Sequence, residues 1–234
     1  MRTHRAWWEA LDQEWKRIFE TVIGYQFVQE PDEIELQKLV NLEELHCGAT
    51  NITTLTPLQA LTRLQILGCF ETAITSLEPL AKLTNLQVLG CSETQITSLE
   101  PLRNLTQLKV LKCYATPIKD LEPLRDLPQL EILDCAGTHI TSLDPLRSIA
   151  NLQFINCGGN DIADLEPLRN LTRLIEVDCS YTQVVSLEPL MNLPHLRKLS
   201  CKKTPVSISV RTIEQFKRQC PHCQISDLWY EHIL

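Results

Sequence analysis

The chain has 234 residues, 44% hydrophobic and 22% charged, with a formal net charge of −7. That acidic balance argues against non-specific nucleic-acid binding, which needs Lys and Arg to displace counterions from phosphates. No apolar run approaches the ~18 residues that cross a bilayer, and the N-terminal MRTHRAWWEALDQEWKRIFE lacks the uninterrupted apolar core of a signal peptide, so a cytoplasmic protein with neither nucleic acid nor membrane as partner is expected.

The first predicted element is a helix over AWWEALDQEWKRIFETVIG. Trp8, Leu11, Trp15, Ile18, Phe19 and Val22 fall at helical spacing, and Gly24 suits a helix stop. Its stripe of large apolar side chains fits a cap over whatever follows; an aromatic partner-binding helix is the rival reading. Pro31-Asp32-Glu33 opens a second short helix. Residues 1–35 are thus read as an N-terminal helical cap.

The middle of the chain repeats itself. LGCFETAITSLEPL, starting at Leu67, returns as LGCSETQITSLEPL, starting at Leu89. Of the 10 cysteines, eight stand at Cys47, Cys69, Cys91, Cys113, Cys135, Cys157, Cys179 and Cys201, every 22 residues. Such a lattice comes from a structural repeat and not from a disulfide framework. Within LQVLGCSETQI, Leu89 and Cys91 are two apart and point to one side of a strand, whereas Val88, Gly90 and Ser92 point to the other. One strand cannot bury its apolar side alone; stacked parallel copies merge these sides into a continuous core. The second half of each unit turns the chain back. Acidic-Pro pairs recur at Glu78-Pro79, Glu100-Pro101, Glu122-Pro123, Asp144-Pro145, Glu166-Pro167 and Glu188-Pro189, suited to the first position of a helical turn. A unit of 22 residues leaves room only for short 3₁₀ or irregular turns.

Aligned on the cysteine, the units LEELHCGATNITTLTPL through LRKLSCKKTPVSISV resemble the leucine-rich-repeat family, whose strand segment reads LxxLxLxxN/CxL. They look most like the short 22-residue class of internalin-type bacterial proteins and phosphatase-regulator-type proteins. The resemblance covers 36–206. It implies an α/β-type solenoid, a right-handed superhelix with a parallel concave sheet, short convex turns and helical caps. It also implies a non-catalytic protein-binding module, with a regulator or inhibitor subunit of an enzyme, or a structural, self-associating scaffold, as alternatives. The Asn slot of the family holds Thr at Thr50, Thr72, Thr94, Thr116, Thr138, Thr182 and Thr204; only Asn160 keeps the amide.

Cys in the inward slot reads as a small buried hydrophobe. Neighbouring parallel strands hold side chains farther apart than the ~3.8 Å Cβ spacing of a disulfide. Residues 207–234 form a C-terminal cap, with Ile213, Phe216 and Cys220 on one helical stripe and QISDLWYEHIL as an extended tail. The CPHC at Cys220–Cys223 suggests zinc or thiol exchange as alternatives to a structural role. It follows a helix, where the dipole disfavours thiolate, and zinc would need further ligands such as His222 and His232. No nucleophile, base or metal set gathers in the sequence, and the seven glycines form no phosphate loop. Neither catalysis nor a cofactor or metal is expected.

The candidate partner surface is the concave row of outward strand positions: Ile66, Phe70, Val88, Val110, Tyr114, Ile132 and Phe154, with small neighbours at Gly68 and Gly90. Val and Ile also suit strands for their own sake. The aromatics are the stronger signal, since aromatics anchor interfaces. Charged residues lie further along, at Asp134, Asp178, Lys198, Lys202 and Lys203.

Overall fold

A computed structural model describes residues 4–24 and 30–225. Nine strands form one sheet in chain order, every neighbouring pair parallel. They are β1 (Glu44–His46), β2 (Ile66–Gly68), β3 (Val88–Gly90), β4 (Val110–Lys112), β5 (Ile132–Asp134), β6 (Phe154–Asn156), β7 (Glu176–Asp178), β8 (Lys198–Ser200) and β9 (Gln224–Ile225). From β1 to β8 the register is the sequence lattice itself: Ile66 pairs Val88, Leu67 pairs Leu89 and Gly68 pairs Gly90. Beyond each strand the Cys amide continues the ladder, as where Cys69 N–H donates to the Gly90 carbonyl at 2.7 Å.

A coil in mid-array explains the core. Leu86, Leu89, Cys91, Ile96, Leu99, Leu102 and Leu105 are each 0–1% exposed. The same slots in neighbouring coils join them into one continuous cluster, so each coil buries its leucines only because another coil lies on each side. The return path is a 3₁₀ turn at each acidic-Pro pair, as at Glu100–Leu102 and Glu122–Leu124. A side chain two residues earlier accepts from the acidic residue's amide, Ser98 at 3.1 Å and Asp120 at 2.8 Å. The carboxylate has a partner beyond the peptide dipoles: it holds an Arg three residues on, in Glu100–Arg103, Glu122–Arg125, Asp144–Arg147 and Glu166–Arg169.

The Thr row closes the turn after each strand. Thr94 and Thr116 donate to the carbonyls of Cys91 and Cys113 at 2.7 and 2.6 Å. The residue before each such Thr, and before Asn160 in the same slot, is left-handed, including Ala49, Glu71, Glu93 and Ala115; glycine takes that place only at Gly137, before Thr138, and Gly159, before Asn160.

The N-terminal cap differs from a single helix. It is α1 (His4–Glu9) and α2 (Gln13–Ile23), followed by α3 (Glu33–Val40). The break falls at Asp12, whose side chain accepts from the Trp15 amide at 2.9 Å. A short acidic side chain competes for backbone donors and so starts a helix instead of continuing one. Trp8, Leu11, Trp15, Ile18 and Phe19 are buried, but Val22 is 40% exposed and outside the stripe. Gly24 ends α2 in the left-handed conformation and Asp32 caps α3 in a capping box. The indole N–H groups of Trp7 and Trp15 donate to the carbonyls of Pro57 and Thr54, tying the cap to the first coil. At the other end α4 (Val210–Gln219) seats Phe216, 0% exposed, on the last coil, and β9 extends the sheet. Leu228, Trp229 and Tyr230 of the predicted tail lie outside the described residues.

Candidate functional site

The parallel register brings the predicted residues together. Ile66, Val88, Val110, Ile132 and Phe154 stand side by side on β2 to β6, each half-buried. Four residues on from Ile66 and from Val110, Phe70 and Tyr114 are 40% and 36% exposed. The seven predicted residues therefore share one open face of the sheet, opposite the side that takes the leucines and cysteines.

Small residues on this face have defined uses. A Cβ on Gly48 would lie 2.9 Å from three atoms of the Phe70 ring, and one on Gly68 would lie 2.7 Å from His46 Nδ1. Phe70 thus leans back over the preceding coil and His46 lies over the following one. Gly90, by contrast, faces open space, its nearest neighbour being the Leu67 carbonyl at 4.0 Å. Tyr114 also leans back, its hydroxyl donating to Glu93 at 3.0 Å; burial and that carboxylate push the phenol pKa up. Ser92, one coil before Tyr114, is 2% exposed.

One of the charged positions expected along the face departs from that expectation. Asp134 is 1% exposed and is not an accessible charge on the face. Its Oδ1 accepts from the Ala136 amide at 3.3 Å. One and two coils on, Asn156 and Asp178 repeat this turn with the amides of Gly158 and Ser180 at 3.1 and 2.8 Å. The three form a polar row that fixes the chain as it leaves each strand, and burial raises the Asp178 carboxyl above the ordinary range. Lys198 pairs with Glu176 at 2.7 Å and Lys203 lies over the Tyr181 ring at 5.2 Å.

The cysteine lattice faces the core. All 10 cysteines are free and buried. Desolvation pushes the Cys47 and Cys91 thiols up to about 12, the opposite of an activated thiolate. The thiols are also weak donors: Cys135, Cys157 and Cys179 reach the carbonyls of Asn156, Asp178 and Ser200 at 3.3–3.4 Å. In the CPHC pair, the Cys220 thiol donates to the Met191 carbonyl at 3.0 Å and both thiols are raised by burial. Among the described residues no group of three or more His, Cys, Asp or Glu side chains is placed to hold a metal ion, and no helix is long and apolar enough to cross a membrane.

A right-handed succession of leucine-lined coils with one parallel sheet defines a leucine-rich-repeat solenoid. A family model described as leucine-rich repeats, two copies, matches at 62–104, 84–126 and 128–170. Over these residues the chain carries leucine-rich repeats, and its fold is that of a leucine-rich-repeat solenoid. Internalin C2 of Listeria monocytogenes superposes with a TM-score of 0.76 at 27% identity, over 86% of this chain and 88% of that one. An internalin from the same organism, inlF, gives 0.75 at 24% identity, over 82% and 56%. The functional domain of InlJ, also from Listeria monocytogenes and described as including a cysteine ladder, gives 0.56 at 22%, over 86% and 57%. The chain thus spans little more than half the length of the last two. No curated protein matches it.

Proposed function

We propose that the chain is a non-catalytic protein-binding module whose partner docks on the open face of the sheet, against Ile66, Phe70, Val88, Val110, Tyr114, Ile132 and Phe154. One observation carries this reading. The register sets five apolar side chains in a half-exposed row on β2 to β6, and two of the few exposed large hydrophobics of the molecule, Phe70 and Tyr114, stand beside it. Contiguous apolar surface of this kind commonly marks a partner site, and aromatics are the side chains that anchor one. Leucine-rich-repeat folds commonly mediate protein–protein interaction; the plant peptide hormone receptor RGFR1, a structural neighbour at 18% identity, is known in complex with RGF2. A cytoplasmic location is part of the proposal.

The test is affinity capture from the native host with wild type beside the triple variant Phe70→Ala, Tyr114→Ala, Phe154→Ala. The variant should retain a specifically captured protein about tenfold less well, with the cost concentrated in a few anchors, while its denaturation midpoint stays close to wild type. Retention equal to wild type, or a loss traced wholly to unfolding, would reject the open face as the docking surface.

A further inference from the structure

We infer that the solenoid carries a subsite for an anionic group of its protein partner, a carboxylate or a phosphate, built by Arg173, His195 and Arg197 beside the C-terminal end of the apolar row. This rests on the proposed open-face docking only in assigning the anion to a protein.

A pocket of about 390 Å³ is lined by Gln153, Arg173, Ile175, His195 and Arg197. Gln153, Ile175 and Arg197 each stand four residues before a lattice cysteine, so they immediately precede the outward residues Phe154, Glu176 and Lys198. Arg173 and His195 stand six residues before theirs. The pocket therefore adjoins the apolar row where Phe154 ends it. No acidic side chain lines it, although the chain as a whole is acidic at −7.

The repeat supplies its own template for what is missing. In the first coils, Arg63 stands six residues before its cysteine, and its Nη2 donates at 2.9 Å to Glu43, four residues before the preceding cysteine. Moved along the lattice, the place of Glu43 opposite Arg173 is held by the neutral Gln153, and opposite His195 by Ile175. The nitrogen-donor half of the pair is kept twice, as a guanidinium at Arg173 and an imidazole at His195, while its carboxylate is gone. Nearby acids are engaged elsewhere: Glu176 holds Lys198 at 2.7 Å, and Glu131 accepts from Gln153 at 3.4 Å. Arg173 is steadied through Nη1 by Asn151 at 2.7 Å, which leaves the rest of its planar fork available. Arg197 has its backbone held by β9, its carbonyl accepting from the Gln224 amide at 2.8 Å. Two guanidinium groups beside one concavity repel one another until an oxyanion enters, the imidazole can add a hydrogen-bond donor, and the guanidinium fork matches carboxylate and phosphate oxygens in bidentate geometry.

The full chain, labelled at arginine and histidine side chains, is titrated with inorganic phosphate and separately with acetate at constant ionic strength, and followed by NMR. Saturable shifts are expected at Arg173, His195 and Arg197 with at least one probe; stronger phosphate binding points to a phosphorylated partner, stronger acetate binding to an acidic one. Arg173→Gln and Arg197→Gln, both on exposed side chains, should each weaken binding about fivefold or more by removing a charge-assisted contact, and Arg63→Gln should not. Shifts that stay linear, or that persist in both variants, would overturn the subsite. The aromatic triple variant should bind the probe as wild type does, so this result is independent of the docking face. Capture of the partner should fall in the Arg173→Gln, Arg197→Gln double variant; capture equal to wild type would overturn the assignment of the anion to a protein.

Discussion

Asn160 offers a test in which the protein supplies its own control. Its side chain is 4% exposed, and Nδ2 donates to the carbonyls of Cys135, Cys157 and Gly158 at 2.9, 3.0 and 3.2 Å. Its Oδ1 accepts from the Thr138 hydroxyl at 2.9 Å and the Ile140 amide at 3.3 Å. Thr in the same slot elsewhere bonds the carbonyl three residues back, as Thr182 does to Cys179 at 2.6 Å. Asn160→Thr should keep that one bond and lose the links to the neighbouring coil. Thr138 and the Cys135 carbonyl still have each other at 2.8 Å, so the main loss is at Ile140 and Gly158, about 1–2 kcal/mol at ~1 kcal/mol per net hydrogen bond. Asn160→Ala also strips the donor from Cys157 and should cost about 2–4 kcal/mol, because a buried acceptor loses its side-chain partner. Urea denaturation followed by far-ultraviolet circular dichroism measures both, with equal slopes required for the comparison. A cost for Asn160→Thr of less than about 0.5 kcal/mol, below one net hydrogen bond, would refute the idea that this side chain joins two coils.

Three further substitutions probe the rows on either side of the sheet. Cys113→Ser places a hydroxyl in a fully buried slot and should cost about 1–3 kcal/mol; Cys157→Ser should cost less, since the Asp178 carbonyl already accepts from that thiol at 3.3 Å. Chemical denaturation giving no loss at either position would contradict the inward register. Asp178→Asn should stabilise the protein at neutral pH. Burial raises the native carboxyl pKa, so stability is full where the group is protonated in both states and is lost as pH rises through the native value. The amide carries no such loss and can still accept from the Ser180 amide, as Asn156 does from Gly158. The gap between variant and wild type should shrink on acidification; a wild type more stable at pH 7 would reverse the argument.

The array was legible in the sequence because its physics is periodic. A cysteine every 22 residues fixes the register of β1 to β8, and once Cys91 faces in, Val88 and Ser92 must face out. What the lattice could not carry was contact between specific side chains. Nothing in a one-dimensional pattern says that Phe70 lies over Gly48, that His46 covers Gly68, or that Asp134 is buried. The break between α1 and α2 had a local signal in Asp12, whose capping habit was outweighed by the longer apolar stripe. The anion pocket was also foreshadowed: Arg63 with Glu43, set against Arg173 with Gln153, is visible once positions four and six before each cysteine are aligned.

The register itself is open to direct measurement. Native protein carrying Val88→Cys is treated with a small maleimide and the adducts are counted by mass spectrometry, with the denatured protein as reference. The 10 native thiols are all buried, so rapid labelling should add a single adduct at position 88, on the open face. Rapid modification of the lattice cysteines, or none at position 88, would contradict the arrangement on which the docking face depends.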